Sequence, residues 1–198
     1  MNFAFNEVEL PIRISLDRPI TDDELLRLSA ENDSLRLERD ANGELIVMSP
    51  TGTGSGRIET RVIVELGNWA RADGRGEAFG SSTGFKLPDS SVRAADAAWM
   101  SSQRWNALDA EELKRFAKTC PEFVIEIRSE SDRLAYLQKK MQMWIANGAD
   151  LAWLIEPIEK SVTIYRPGDE PEHLAHPTSV QGTGPIAGFE LVMARIWD

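Results

Sequence analysis

Two acidic residues stand inside stretches of sequence that otherwise have the composition of buried β-strands. Asp96 lies within residues 92–100, and Glu126 lies within residues 122–128, thirty positions further along the chain. A carboxylate inside such a strand is costly unless a positive group compensates it, and a divalent cation is the compensator that two carboxylates share best. The pair therefore predicts a site for a Mg²⁺-type metal ion.

The period-two alternation of a β-strand indicates which way the two acids point. Glu126 is predicted to face away from the apolar Ile125, and Asp96 is predicted to share its face with Ala94 and Ala98. Small neighbours would leave room for an ion and its water molecules. The alternative for either acid alone is a solvated residue of an edge strand or a structural ion pair.

Helix geometry assigns a lysine to the same site. Residues 132–147 are predicted to form a helix, and Lys140 lies at the flank of its apolar stripe, whereas Lys139 points almost opposite. The stripe consists of Leu134, Leu137, Met141, Trp144 and Ile145. Lys140 could therefore reach a site beside the sheet. The alternative is that its side chain only extends along the border of the helix.

Composition and charge limit the class of protein. The chain has 198 residues, 42% of them hydrophobic, which suits one globular domain. We find no apolar run of membrane-spanning length and no signal-peptide pattern, so we expect a cytoplasmic protein that does not enter a membrane. The single Cys120 is expected to be a buried hydrophobic residue, since no other cysteine can pair with it.

The net charge of −10 argues against a simple nucleic-acid clamp, because phosphate binding needs a basic field. The acidity is concentrated in the two ends of the chain, however. Residues 51–150 carry 14 acids and 14 bases and contain every candidate for chemistry named above. The charge pattern is therefore compatible with nucleic-acid binding by the middle of the chain.

Hydrophobic periodicity and turn signals place the remaining elements. A capping-box sequence at Thr21 begins a short helix, and Asn42-Gly43 marks the turn of a β-hairpin. The predicted strands are 10–15, 34–39, 44–48, 77–86, 92–100, 122–128, 151–155 and 161–166, and the predicted helices are 21–29, 57–72, 110–118 and 132–147. This order predicts an α/β or α+β core around a mixed β-sheet.

Two other motifs support weaker hypotheses. Gly52, Gly54 and Gly56 precede a helix, but their spacing does not match a phosphate-binding loop, so we interpret them as a flexible turn. His173 and His176 are three positions apart without a clear third ligand, which makes a zinc site a poor interpretation.

Sequence blocks along nearly the whole chain from about residue 10 resemble a known family. They are residues 48–52, 80–88, 93–99, 104–106, 121–129, 140–141, 147–149 and 153–157. Their composition, order and spacing are similar to those of the Uma-two family of proposed restriction endonucleases. That family belongs to the PD-(D/E)XK nuclease superfamily, so the resemblance implies a restriction-endonuclease-like mixed β-sheet core flanked by helices.

The resemblance also implies roles for particular residues. Asp96 matches the motif aspartate and Glu126 the second acid, which in the superfamily bind Mg²⁺ or Mn²⁺. Lys140 matches the catalytic lysine, which this family carries on the following helix. The metal would be held by Asp96, Glu126 and the main-chain carbonyl of Ile127. The catalytic set implied by the resemblance is thus Asp96, Glu126 and Lys140.

Two positions depart from the superfamily motif. Ala95 replaces the proline before the aspartate, and Arg128 stands where the motif lysine is usual. The first change affects only backbone shape. If Arg128 cannot substitute for the lysine and Lys140 does not reach the site, the site would bind metal without cutting.

The sequence leaves three functions open. The first is a metal-dependent DNA endonuclease, the second is a cleavage-deficient dimeric DNA-binding or regulatory protein with a nuclease fold, and the third is a metal-dependent phosphohydrolase acting on a substrate other than DNA. We divide the single domain 1–198 into an N-terminal helix and hairpin extension (1–50), a catalytic core (51–157) and C-terminal strands (158–198).

Assembly and substrate approach follow from the charge pattern. The partner is expected to be DNA, bound by a homodimer whose two sites cut the two strands. The acidic ends should turn away from the site or lie in the dimer interface, so that residues 51–150 line the groove.

Overall fold

The computed structural model describes residues 11–197. The first ten residues and Asp198, which belong to the predicted N-terminal extension and C-terminal segment, lie outside the described residues, as does the start of the predicted strand 10–15. The strands are β1 (Ile12–Ile14), β2 (Arg36–Arg39), β3 (Leu45–Met48), β4 (Gly76–Gly80), β5 (Phe85–Lys86), β6 (Val92–Arg93), β7 (Ala97–Ser101), β8 (Phe123–Ile127), β9 (Leu151–Glu156), β10 (Ser161–Tyr165), β11 (Glu172–Ala175), β12 (Ser179–Gln181) and β13 (Glu190–Val192). The helices are α1 (Asp22–Glu31), α2 (Thr53–Asp73), α3 (Ser102–Asn106), α4 (Leu134–Ala146) and α5 (Ala194–Trp197).

A six-stranded sheet forms the centre of the molecule, in the order β11-β10-β9-β8-β7-β4. Strands β8 and β9 run parallel, because α4 connects them as a crossover helix, and the other neighbours are antiparallel. The sheet is therefore mixed and flanked by helices, which confirms the predicted α/β (α+β) class.

Alternation along β8 divides the core into two clusters. On one face Ile125 packs with Leu66 of α2 and with Phe189 near the C-terminus, in a large hydrophobic cluster. On the other face Val124 packs with Met141 of α4. The predicted period-two assignment of this strand is confirmed.

A second, five-stranded sheet has the order β1-β3-β2-β6-β5. The predicted hairpin is present as β2 and β3, and its turn contains Gly43, whose positive φ of 84° favours glycine. The hairpin does not stand apart from the rest of the chain, because Arg39 of β2 pairs with Val92 of β6. A small apolar cluster that includes Leu25 of α1 covers this sheet.

The two predicted strands 77–86 and 92–100 are each divided between the two sheets. The chain leaves one sheet after Gly80 and enters the other at Phe85, and it returns between Arg93 and Ala97. Asp96 therefore lies in the short crossing just before β7 and not in mid-strand, so the prediction that it shares a strand face with Ala94 is wrong.

Charged side chains stabilise the crossing at Ala94. Its N–H donates to Glu38 Oε1 at 3.1 Å, and its carbonyl accepts from Lys140 Nζ at 2.9 Å. A buried backbone that leaves a sheet needs such partners, since its polar groups would otherwise be unpaired. Neighbour spacing within one strand cannot predict this exchange of partners.

The predicted helix 110–118 is wrong, since only Glu112–Lys114 form one turn of 3₁₀-helix. The Asp109 side chain accepts from the N–H groups of Glu111 and Glu112, each at 2.8 Å, and this local turn replaces a longer helix that has no apolar stripe to bury. The short helix α3 was not predicted. Ser101 caps its N-terminus by accepting from Arg104 N at 3.2 Å.

The predicted helix 57–72 begins earlier than expected, at Thr53, so Gly54 and Gly56 belong to the first turns of α2 and not to a loop. At the C-terminal end, two strands and one turn of helix, β12, β13 and α5, form the turn-rich segment. None of the helices within residues 11–197 has the length and apolar character needed to cross a membrane.

Candidate functional site

The structure brings Asp96, Glu126 and Lys140 into one buried cluster. Lys140 Nζ lies 2.8 Å from Glu126 Oε1 and 3.0 Å from Glu126 Oε2. Asp96 Oδ2 accepts from the N–H of Ile127 at 2.8 Å, which ties the aspartate to the residue after the glutamate. Residues that are 14 to 44 positions apart in the chain thus meet where β8 ends.

The packing of α4 determines which lysine reaches the cluster. Leu137, Met141 and Trp144 are buried against the sheet, as their helical spacing predicts. Lys140 is only 4% exposed, whereas Lys139 is exposed to solvent. The prediction that helix phase places Lys140 beside the sheet is confirmed, although its role in catalysis stays a prediction.

Trp144 fixes the other side of the glutamate. Its indole Nε1 donates to Glu126 Oε1 at 2.8 Å. Because Lys140 contacts both oxygens, the carboxylate has a donor on each and a defined orientation. The lysine and the tryptophan are four positions apart on α4, so a single helix orients Glu126.

Glu38 is a member of the cluster that is not among the site residues predicted from the sequence. It is 1% exposed, lies on β2 of the other sheet, and approaches Lys140 Nζ to 3.6 Å. Its second oxygen lies 2.9 Å from Arg93 Nε. Three charged residues within the four positions 36–39 are unusual for a strand in a folded core, and this density of charge is the signal that the sequence offers.

Two arginines complete the balance of charge. Arg36 Nη1 lies 3.1 Å from Asp96 Oδ1, and Arg93 pairs with Glu38. The site therefore holds three carboxylates, Glu38, Asp96 and Glu126, against three cations. A buried set of this kind is stable only when each charge has a partner.

Burial and charge shift the pKa values within the cluster in different directions. Burial raises the pKa of Glu126 to about 7, and the nearby Asp96 adds to this effect while Lys140 and Arg36 oppose it. Burial opposes ionisation of Glu38 too, but Lys140 and Arg93 outweigh it and lower the pKa of Glu38. Burial likewise disfavours the charge on Lys140, yet Glu126 and Glu38 together raise its pKa above the usual value.

A cleft of about 690 Å³ opens above the cluster. Its acidic side chains are Asp33, Glu38, Glu59, Asp96, Glu126 and Asp132, and its basic ones are Arg36, Arg93 and Lys140. Its hydroxyl-bearing side chains include Ser29, Ser34, Ser49, Thr51, Ser55, Ser81, Ser82, Ser129, Ser131 and Tyr136. Of the two alternatives expected for the acidic N-terminal region, turning away from the site does not hold for β2, because this strand supplies Glu38 to the cleft. The other alternative, a place in a dimer interface, stays a prediction.

The donor set of the cluster fits a hard divalent cation. Asp96 and Glu126 offer only oxygen, as does the Ile127 carbonyl that is predicted to be the third ligand, and Mg²⁺ is commonly bound by one or two carboxylates with water filling the remaining positions. Each carboxylate oxygen has more than one acceptor position, so the hydrogen bonds already made do not exhaust it. Within residues 11–197, no group of three His, Cys, Asp or Glu side chains is arranged to hold a metal by itself.

The structure also locates the residues of the weaker hypotheses. Arg128, at the usual position of the motif lysine, pairs with Glu156 at 3.1 Å. His173 lies on β11, where its Nδ1 is 3.2 Å from Thr163 Oγ1. Cys120 is buried, as predicted, and burial raises the pKa of its thiol to about 12.

Comparisons with known proteins agree with this architecture. A crystal structure of a putative nuclease belonging to DUF820 from Anabaena variabilis ATCC 29413 superposes with a TM-score of 0.72. It is 21% identical in sequence, and the match covers 90% of this chain and 98% of that one. At this identity the similarity shows a shared fold. A search of curated proteins finds no match.

A family model gives the more specific result. The model of the Uma2 family, described as "Putative restriction endonuclease", matches residues 22–194, which include every residue of the buried cluster. This is the Uma-two family to which the sequence blocks pointed. The chain belongs to the Uma2 family.

Proposed function

We propose that this protein is a metal-dependent endonuclease that hydrolyses phosphodiester bonds of DNA at the Asp96, Glu126 and Lys140 cluster, as a PD-(D/E)XK-type site. Membership of a restriction-endonuclease family supports nuclease activity. The observation that carries the proposal is the buried, oxygen-rich cluster at the floor of an open cleft.

The charge of the cleft supports the metal dependence. Among residues 11–197, six acidic side chains line the cleft against three basic ones, so the cleft by itself repels a phosphate. A divalent cation at Asp96 and Glu126 would offset most of this excess negative charge. Mg²⁺, or Mn²⁺ in its place, would be held by Asp96, Glu126 and the Ile127 carbonyl, and would supply a Lewis acid for the scissile phosphate and a more acidic bound water.

The side chains of the site then have separable tasks. Lys140 is held as a cation by Glu126, Glu38 and the Ala94 carbonyl, so it can orient a water or stabilise negative charge on the phosphate. Trp144 holds Glu126, and the Ile127 N–H holds Asp96. Neutral hydroxyl groups around the cleft suit contacts with the sugar-phosphate backbone, which carry no sequence information.

One observation favours the alternative of a DNA-binding protein that has lost cleavage. Each oxygen of Asp96 and Glu126 already accepts from a donor, and Arg128 pairs with Glu156. If the cations among those partners, Arg36 and Lys140, stay in place, their charge opposes a metal ion at the same carboxylates. The homodimer and the cytoplasmic location remain predictions, and the dimer would bring two such sites to the two strands of a duplex.

A nicking assay tests the proposal. Supercoiled plasmid incubated with the protein and Mg²⁺ or Mn²⁺ should be converted to open-circular DNA, and chelation should stop the conversion. Asp96→Asn should remove the activity, while Asp169→Asn, which changes an exposed aspartate outside the cleft, should retain it. Metal-dependent DNA binding without nicking would favour the cleavage-deficient alternative, and neither binding nor nicking would favour a phosphohydrolase acting on another substrate.

A further inference from the structure

Arg36 is the charged residue of the cluster whose position the metal-site proposal does not explain. Its guanidinium Nη1 contacts Asp96 Oδ1 at 3.1 Å, and Nη2 lies 3.7 Å from the sulfur of Met48, which is a weak acceptor. An arginine recognises a carboxylate best through two parallel hydrogen bonds. Within residues 11–197, Arg36 makes only one hydrogen bond to Asp96, and part of its fork has no strong partner.

The contacted oxygen is the one a metal needs. Asp96 Oδ2 accepts from the Ile127 N–H at 2.8 Å. This hydrogen bond joins the segment that carries Asp96 to the segment that carries Glu126. Oδ1 is therefore the oxygen left for an external ligand, and the Arg36 guanidinium occupies it. An arginine does not lose its proton at physiological pH, so it can only leave this position by moving.

Arg36 is also the cation that can move with least cost. Its side chain is 30% exposed, whereas the side chains of Arg93 and Lys140 are 6% and 3% exposed. The lysine has three acceptors, so its removal would leave buried groups unpaired. Arg36 can turn into the open cleft, which it already lines, and exchange one carboxylate contact for water or for another anion.

The charge balance of the cluster gives a reason for Arg36 to move when a metal ion binds. Three carboxylates and three cations are balanced, and a divalent ion adds two positive charges at the same oxygens. The balance is recovered when a cation leaves and when the phosphate of a substrate enters. A planar guanidinium released into the cleft is suited to that phosphate, because its fork matches two phosphate oxygens.

We propose that Arg36 and the metal ion compete for Asp96 Oδ1, and that Arg36, once displaced, binds a phosphate group of the nucleic-acid substrate. The inference rests on the proposed metal site. It assigns to Arg36 two opposite effects: it weakens metal binding in the absence of substrate, and it strengthens substrate binding when metal is present.

Calorimetric titration of the full chain with Mn²⁺, without nucleic acid, tests the first effect. Arg36→Met removes the competing charge, and we expect Mn²⁺ to bind about tenfold more tightly, equivalent to about 1.4 kcal/mol. Arg36→Gln also removes the charge but keeps a hydrogen-bond donor for Asp96, and we expect it to bind Mn²⁺ more tightly than the wild type as well. This second variant keeps the experiment decisive if Arg36→Met folds poorly. Arg166→Met is the matched control. The side chain of Arg166 is 29% exposed, it pairs with Glu172 at a distance of 2.8 Å, and it does not line the cleft.

Filter binding of duplex DNA in Ca²⁺ tests the second effect. We expect Arg36→Met to lose about tenfold in affinity and to reduce the salt dependence by about one phosphate contact, with Arg166→Met unchanged. Mn²⁺ affinity that is equal or weaker in both Arg36 variants would overturn the inference and make Arg36 a structural partner of Asp96. If wild type and all variants bind no Mn²⁺, the proposed metal site itself is contradicted.

Discussion

The two faces of the central sheet bury different kinds of side chain. On the face covered by α2 and the C-terminal segment, Phe123 packs edge-on against Trp153, with ring centroids 4.9 Å apart, in a large cluster of hydrophobic residues. On the face covered by α4, the apolar cluster ends at Glu126 and Lys140, which are as deeply buried as their hydrophobic neighbours. The same strand β8 supplies both faces.

The difference separates stability from chemistry. Apolar burial is the main favourable contribution to folding, whereas a buried ion pair contributes little net stability compared with hydrophobic residues of similar volume. The α4 face therefore keeps its charges at a cost in stability, and a functional requirement explains that cost better than a structural one. Substitutions on the two faces should affect different measurements.

The largest effect on folding is expected on the apolar face. Phe123→Ala leaves a cavity beside Trp153 and should lower the free energy of unfolding by about 3–5 kcal/mol. Chemical denaturation measures this loss. Cleavage by the fraction that remains folded should be unchanged, and a loss of cleavage larger than the loss of folded protein would contradict the separation of the two faces.

The largest effect on chemistry is expected from the lysine of α4. Lys140→Gln should slow cleavage by about 10²–10³, because a cation near the developing phosphate charge is lost. The control is Lys139→Gln, one position along on the exposed side of the helix, which should stay near wild type. Nicking rates measured below the melting temperature of both variants give the comparison, and equal losses would show that the charge on Lys140 has no particular role.

A smaller effect is expected from the titration of Glu126, which should make both the folding stability and the cleavage rate depend on pH. The pKa of Glu126 is about 7 in the folded protein and 4.5 ordinarily, so between these values the folded state binds a proton that the unfolded state does not. This contribution to stability is present below pH 4.5 and is lost as the pH rises through 7, by at most about 1.4 kcal/mol per pH unit. Cleavage should change the opposite way, because metal binding needs the carboxylate.

Denaturation in the absence of metal at pH 5, 6, 7 and 8 checks this sign. At each pH, the stability of Glu126→Gln is subtracted from that of the wild type. The subtraction cancels the contribution of the other titrating groups, which both proteins share. We expect the wild type to lose stability relative to the variant as the pH rises. A difference that does not depend on pH would mean that Glu126 titrates at the same pH in both states.

The parts of the site that local patterns determine could be predicted from the sequence. Lys140 follows from the phase of an amphipathic helix, and the direction of Glu126 follows from alternation in a strand. Asp96 was predicted to be close to Glu126, but it lies in a crossing between sheets and not in a strand, because distant charged groups satisfy the Ala94 backbone.

The remaining members depend on pairing between distant segments. Arg36 meets Asp96 across 60 positions, and Glu38 meets the Ala94 N–H across 56. Neither contact leaves a periodic signal, since it exists only after β2 joins β6 in the second sheet. The fold class was accessible from the order of elements, whereas the exchange of the chain between two sheets was not.

The most direct test of the metal site is the anomalous diffraction of a crystal soaked in Mn²⁺. We predict a single strong peak within about 2.0–2.3 Å of oxygens from Asp96, Glu126 and the Ile127 carbonyl. The Arg36 guanidinium should have moved away from Asp96 Oδ1 in the same map. Absence of a peak at this position at saturating Mn²⁺, with the Arg36 contact intact, would contradict the proposal that these residues form a metal-dependent nuclease site.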